Sequence, residues 1–305
     1  MKTVKHKDVL VILPAIPGDL VCCRYALTLL CDLYEVSVIC RERHIGLLQS
    51  LSVRVISISD YSIFQSMNLE TLSLKSDLDK IIDLHNSIET HRFCAESGVF
   101  TVGQNEFDVG LVYDKSFKWW LNPGEKTHAS VRHVRSLDGH EDQSEFDAIA
   151  WRRSHYQVDS KVEDRLVGLC PGSSTLGLAK RIKPEHWSQV ASYLRARDIR
   201  ICWFLGPDEQ DLEPLLVKSL DILEGGAFED VVKQHSRCRY VMTHDTVHLH
   251  IHAHMPNETA AIFVRGEARE WGGYPEGVSI IDFSTDVDPN RAAHYMINWF
   301  SSRLS

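Results

Sequence analysis

Nothing in the 305 residues approaches the ~18–20 consecutive apolar positions that a membrane-spanning helix needs, and the longest apolar runs carry Asp, Arg or Cys. Positive charge is in deficit. Lys and Arg total 33 against 42 Asp and Glu, a formal charge of −9, and neither half of the chain is basic, so a nucleic-acid partner has no compositional support. The eight cysteines include no CxxC pair, and neither a GxGxxG fingerprint nor a Walker loop is present, which weakens dehydrogenase and P-loop readings. The basic stretch Met1–Asp8 is followed only by the short, strand-like Val9–Ile16, without a small-residue cleavage site, and does not read as a signal peptide. The cysteines, mostly set in apolar runs, are then expected to be reduced, buried thiols of a cytoplasmic protein. Low-complexity segments and short repeats are also missing.

What is present is an ordinary globular composition, 44% hydrophobic and 25% charged, in a chain long enough for two domains with separate cores. Short β-branched runs alternate with longer segments of helical period. The first series of expected strands is Val9–Ala15, Val36–Cys40, Val53–Ile58, Ile81–Leu84, Val99–Val102 and Val109–Tyr113. The second is Leu166–Cys170, Ile199–Phe204, Tyr240–Thr243, Thr259–Val264 and Val278–Asp282. Such alternation predicts α/β architecture with parallel sheets, whose strands are buried on both faces. The polar stretch from Lys115 to Glu163 separates the series, so the domains are read as 1–160 and 161–305. Pro289–Leu304 reads as a terminal helix.

Both series begin with a strand that ends in a Pro/Gly turn and feeds a helix. Pro14-Ala15-Ile16-Pro17-Gly18-Asp19 follows the first, Pro171-Gly172-Ser173-Ser174 the second, and in open α/β sheets such turns are the usual place for a ligand. Two Rossmann-like halves of this kind are expected to face each other across a cleft. The second turn continues through Thr175 to Lys180 and Arg181, and Pro184 then opens a helix. Glycines for close approach, hydroxyl donors and two cations suit a pyrophosphate; the alternative is a solvated surface loop. Gly206-Pro207-Asp208-Glu209 puts carboxylates where a ribose could be held, or simply at a helix start. The third site is Tyr240–His254, with Asp245 at a strand-to-helix change, where it either serves a ligand or caps the helix. Five of the 16 histidines lie between His244 and His254. On a strand His248, His250, His252 and His254 would share a face; on a helix only His248/His252 and His250/His254 pair. The Met255-Pro256 ending favours the helix; a metal site is the minor alternative, since a ligand set would normally also need a carboxylate or cysteine with matching geometry, and no metal ligands are assigned.

The order of these segments, a GD turn, a PG–Ser/Thr loop with Ala179-Lys180-Arg181, then Gly206-Pro207-Asp208-Glu209, then a strand leading to Asp245-Thr246 and His250, resembles glycosyltransferase family 9, the heptosyltransferases of lipopolysaccharide core synthesis and their relatives. Ile81-Ile82-Asp83-Leu84-His85-Asn86 and Lys126-Thr127-His128-Ala129 resemble middle segments of the family's N-terminal domain. The likeness covers most of the chain; each motif is short, and their order carries the specificity.

The resemblance implies two facing Rossmann-like domains of the glycosyltransferase B type, with the acceptor on residues 1–160 and a nucleotide-sugar donor on 161–305. It implies inverting transfer of a heptose or related sugar, without metal or cofactor, from an ADP- or other nucleotide-sugar to a glycan or glycolipid acceptor. At most peripheral membrane contact is expected. By position, Asp19 matches the general base, Ser173, Ser174 and Lys180 the phosphate-binding groups, Asp208 or Glu209 the ribose acid, and Asp245, Thr246 and His250 the second donor motif. Asp19 has a second reading as N-cap of an apolar helix Leu20–Leu33. The chain departs from the pattern at Val247, where the family usually has glycine, at Tyr25 in place of a proline, and at Ile182 in place of a tryptophan, with Lys183 before Pro184. Val247 motivates the alternative of a degenerate member that binds a nucleotide, sugar or protein partner without catalysis. A sugar-nucleotide epimerase is a third reading, though it needs more cleft carboxylates than the chain supplies.

Overall fold

A computed structural model of the protein describes residues 7–48, 51–72, 74, 78–104, 113–117, 133–135, 137, 161–173, 175–206, 209, 211–212, 220–224, 228–252, 255, 257–264, 278–283 and 288–304. The chain falls into two compact units, Met1–Ala148 and Ile149–Ser305.

The first unit is built on six parallel strands: β1 (Asp8–Ile12), β2 (Glu35–Arg41), β3 (Val53–Ile58), β4 (Leu78–Asp83), β5 (Thr101–Gln104) and β6 (Lys115–Phe117). Their order in the sheet is β3-β2-β1-β4-β5-β6. Helix α1 (Pro17–Cys31) follows β1, and α2 (Ile88–Glu96) follows β4. Pro17 opens α1 at a position where a missing N–H costs nothing. Leu20, Val21, Cys22, Cys23, Ala26 and Leu27 are almost completely buried along α1, each apolar side chain contributing on the order of 1–3 kcal/mol by leaving water. Ser87 caps α2 through a reciprocal box with Thr90.

The second unit repeats the plan. Its strands are β7 (Glu163–Cys170), β8 (Arg200–Phe204), β9 (Asp221–Glu224), β10 (Cys238–His244), β11 (Glu258–Phe263) and β12 (Val278–Asp282), ordered β12-β11-β10-β7-β8-β9 and all parallel. The helices are α3 (Pro184–Arg195), α4 (Phe228–Arg237), α5 (Val247–His252) and α6 (Ala292–Ser301). Trp187, Val190 and Leu194 of α3 meet Trp203, Met242, Met296 and Phe300 in one core. In both units the first strand lies between the second and the fourth, so the chain reverses its direction of travel across the sheet beside that strand. Loops leaving the carboxyl ends of the two strands at such a switch diverge and leave space for a ligand.

Most expected strands form, with ends shifted by a few residues, and Val53–Ile58 and Val278–Asp282 form as read. Two edges differ. Residues 109–112 of the expected Val109–Tyr113 strand lie outside the described residues, Tyr113 sits in a bend, and the edge strand is Lys115–Phe117, within the stretch read as interdomain. Strand β9 was not anticipated. Its Asp221 looks like a turn residue in the sequence, but the carboxylate is buried where Arg195 donates to it and Trp203 Nε1 donates at 2.6 Å. The terminal helix is Ala292–Ser301, preceded by a 3-10 turn at Pro289–Arg291. All eight cysteines are free thiols, seven of them buried. Among the described residues no helix is long and apolar enough to cross a membrane.

Candidate functional site

At the switch point of the second unit, Cys170 at the end of β7 pairs with Thr243 near the end of β10. The two loops that matter therefore leave the sheet side by side. Lys180 closes the 3-10 turn Thr175–Lys180, and its Nζ donates to Asp245 Oδ2 at 2.5 Å, across 65 residues of sequence. Asp245 is almost fully buried, whereas 39% of the Lys180 side chain remains exposed. A buried carboxylate is costly unless paired. Here it holds one face of the ammonium and leaves the other to solvent or ligand. This settles one local question: the Asp245 carboxylate serves Lys180, and α5 begins two residues further on, at Val247.

The loop is held at both ends by a residue without an assigned role in the sequence. His244 is fully buried; its Nε2 accepts from Ile182 N–H at 3.1 Å and its Nδ1 faces the Gly172 carbonyl at 3.4 Å. Its ring packs edge-on against Trp187, with centroids 5.3 Å apart. Burial lowers its pKa to about 4, so the imidazole is neutral and supplies one acceptor and one donor. Arg181 adds a second clamp. Its guanidinium donates twice to the Ser173 carbonyl and reaches Asp211 at 3.4 Å. Of the two adjacent cations, Arg181 is thus committed to the loop and Lys180 is the one with an exposed face.

Ser173 is buried in this loop, while Ser174 lies outside the described residues, as does Asp208. Glu209 is buried as well. Its Oε2 accepts from Gly206 N–H at 2.8 Å, and its carboxyl group lies against Gly172 so closely that a β-carbon there would fall 1.8 Å from it. Glu209 therefore braces the two turns against each other, and Gly172 is the residue that permits this approach. Thr246 precedes α5 and accepts through its carbonyl from Leu249 N–H, and its hydroxyl lies 3.4 Å from that of Thr243. Val247 is half-buried, and His250 is buried on α5. The histidine tract is helical as far as His252, so His248 and His252 share a face, and both meet His235 of α4.

In the first unit, Asp19 occupies the third position of α1 and is half-buried. The N-cap is Ile16, not Asp19, because the helix begins at Pro17. The carboxylate lies in the first turn, where the helix dipole favours negative charge. The segment from Ile81 to Asn86 ends β4, next to β1. Asp83 is completely buried and accepts from Tyr113 Oη at 2.7 Å, His85 N–H at 2.9 Å and Asn86 N–H at 3.0 Å. Asn86 takes a left-handed conformation, φ 57°, and its side chain meets His91 at 2.8 Å. His85 stacks on Tyr61 with centroids 3.8 Å apart, and Tyr61 donates to the Leu13 carbonyl. Burial lowers the His85 pKa and raises those of Tyr61 and Tyr113. Through its bond to Leu13, Tyr61 ties down the end of β1, just before the turn that carries Asp19. Lys126–Ala129 lie outside the described residues. A pocket of about 380 Å³ opens at the opposite, amino-terminal ends of β1 and β2, by Asp8, Glu35 and Arg54, away from these turns.

Comparison with known proteins agrees with this architecture. The profile of glycosyltransferase family 9 (heptosyltransferase) matches residues 102–294, more than half of the chain. No curated protein matches the sequence. Among solved structures, E. coli ADP-heptose LPS heptosyltransferase II aligns at 16% identity over 96% of this chain and 99% of its own, with TM-score 0.68. E. coli heptosyltransferase WaaC with ADP-2-deoxy-2-fluoro heptose aligns at 14% identity over 98% and 100%, with TM-score 0.70. A family 9 glycosyl transferase from Veillonella parvula aligns at 16% identity over 98% and 92%, with TM-score 0.69. At these identities the structures share the fold, the two-domain glycosyltransferase B type.

Proposed function

The chain belongs to glycosyltransferase family 9 and is a glycosyltransferase, and from that premise we propose that it performs an inverting, metal-independent transfer of a heptose or related sugar. The donor is a nucleotide-sugar, with ADP-sugars favoured because a structural relative of full length was solved with one. The acceptor is a hydroxyl of a glycan or glycolipid in lipopolysaccharide or other surface-glycan synthesis. The reaction takes place in the cytoplasm with at most peripheral membrane contact.

The observation that carries this reading is the Lys180–Asp245 pair beside the buried Ser173 turn. When the anomeric C–O bond breaks, the departing nucleoside diphosphate gains negative charge. An ammonium already oriented by Asp245 meets that charge without reorganising. Ser173, Ser174 and the turn at Asp245–Thr246 supply donors for the phosphates, and His250 belongs to the same motif. Asp208 is assigned to the ribose; the bracing of Glu209 against Gly172 and Gly206 leaves it the structural task. Inversion requires a base that takes the proton of the acceptor hydroxyl as that oxygen attacks the anomeric carbon from the face opposite the leaving group. Asp19 is assigned to that role.

The test is transfer measured with ADP-, UDP- and GDP-sugars on the wild type, Asp19→Asn and Lys180→Ala. Asp19→Asn should lower kcat by about 10²–10⁴ and leave donor binding intact. Lys180→Ala should lower kcat by about 10²–10³ and weaken the donor. Turnover unchanged in both variants would sink the proposal. Donor binding by the wild type without turnover would instead identify the non-catalytic form that the half-buried Val247 raises as the second reading.

A further inference from the structure

Beneath the loop that carries Ser173 and Lys180, a second group of side chains converges that sugar transfer does not use. Cys170 ends β7, His235 lies on α4 and His248 on α5. Each presents one ligand atom within 4.8 Å of the other two. His235 Nε2 and His248 Nδ1 are 3.0 Å apart, close to the ~3.3 Å that two imidazole nitrogens span on a tetrahedral zinc ion. The other nitrogen of His235, Nδ1, is engaged by His252 Nε2, the kind of outer partner that fixes the tautomer of a metal-ligating histidine. His235 is fully buried and stacks on Phe204 with centroids 3.6 Å apart, which orients its ring. The buried His235 meets both the buried His252 and the half-buried His248, an unusual use of polar groups, and among the described residues His252 Nδ1 has no hydrogen-bond partner.

We propose that Cys170, His235 and His248 form a binding site for a thiophilic divalent ion, zinc above all, which ties the end of β7 to α4 and α5. The chemistry of the set suits zinc: one soft thiolate with two imidazoles, no carboxylate, and a fourth position for water. Burial lowers the pKa of His235, His248 and His252, to about 4 for His248, so the imidazoles are neutral and their lone pairs available at neutral pH. Cys170 is held as a thiol by burial, with Thr243 favouring the thiolate. Binding therefore forms the Zn–S bond and releases that thiol proton to solvent, and His248 passes its ring hydrogen from Nδ1 to Nε2. The ion is structural: it lies outside the reacting atoms of the proposed sugar transfer, which stays metal-independent.

The experiment loads chelator-treated full-length protein with Co²⁺ and follows its absorption spectrum, a readout independent of glycosyl transfer. One equivalent should give visible bands of tetrahedral intensity and a near-ultraviolet thiolate-to-cobalt band, both displaced by stoichiometric Zn²⁺. Cys170→Ser should abolish the near-ultraviolet band, and His248→Asn should weaken metal binding at least about tenfold. His294→Asn, at an exposed histidine of α6, should change neither. Circular dichroism reports whether each variant folds. The proposal is overturned if the wild type gives no stoichiometric tetrahedral spectrum, or if folded Cys170→Ser keeps the charge-transfer band. If Cys170→Ser does not fold, His248→Asn decides, and an unchanged affinity overturns the site.

Discussion

The clamp formed by His244 can be tested by replacing it with phenylalanine. His244→Phe keeps an aromatic edge against Trp187 and removes both ring nitrogens. The buried Ile182 N–H, now without its acceptor at 3.1 Å, costs about 1–3 kcal/mol, and the longer contact to the Gly172 carbonyl adds up to about 1 kcal/mol. The loss at neutral pH is therefore about 1–4 kcal/mol. The pH dependence separates this from simple mispacking. The folded imidazole has a pKa of about 4, below the ordinary 6.5 of the unfolded chain, so the unfolded state takes up its proton first as pH falls. The stabilisation tied to the neutral ring is complete above about pH 6.5 and is lost as pH falls toward about 4. Linkage over that interval gives about 2.5 kcal/mol of lost stability at about pH 4.5 in the wild type and almost none at pH ~7. Phenylalanine has no such loss. The gap between wild type and variant should fall by that amount, to between about −1.5 and 1.5 kcal/mol at about pH 4.5, because His44, His85, His235, His248 and His252 titrate in both proteins and cancel. Urea unfolding at the two pH values, followed by tryptophan fluorescence and circular dichroism, measures this. A gap equal at both pH values would refute the buried, neutral clamp.

Gly172→Ala places a β-carbon 1.8 Å from the Glu209 carboxyl carbon, which must then leave Gly206 N–H. The expected cost is about 1–3 kcal/mol in urea unfolding, and Gly172→Ala with Glu209→Ala should lose less than the two single changes summed. Independent, additive losses would show that the two turns are not braced against each other. In the first unit, Tyr113→Phe removes one of the three donors that reach the buried Asp83 among the described residues and should cost about 1.5–3 kcal/mol, read as a lower thermal midpoint. A midpoint identical to that of the wild type would mean that Asp83 is satisfied without it.

The physical basis for what could be read early is local. Parallel strands covered on both faces need continuous apolar runs, so Val9–Ile12, Ile81–Ile82, Val167–Leu169 and Ala260–Phe263 announce themselves in one dimension. The Pro/Gly turns after the first strand of each series likewise mark the places where backbone must turn at a strand end. Two of the four edge strands escape this logic, while the edges Val53–Ile58 and Val278–Asp282 are apolar enough to be read. Lys115–Phe117 and Asp221–Glu224 are only three and four residues long, too short to show a pattern, and Asp221 is tolerated inside a strand because Arg195 and Trp203 come to it from elsewhere in the chain.

The same division holds at the candidate site. Sequence order alone named Asp19, Ser173, Lys180 and Asp245 and placed the chain near its family, since residue types and their succession survive without coordinates. It could not distribute their tasks. That Lys180 meets Asp245 while Arg181 grips Ser173, that Glu209 braces a turn, and that His244 fastens the loop at Gly172 and Ile182, all follow from β7 and β10 lying side by side. Cys170, His235 and His248 are 65 and 13 residues apart in the chain, a spacing with no motif in it. Only the packing of two helices against the end of β7 brings their ligand atoms together.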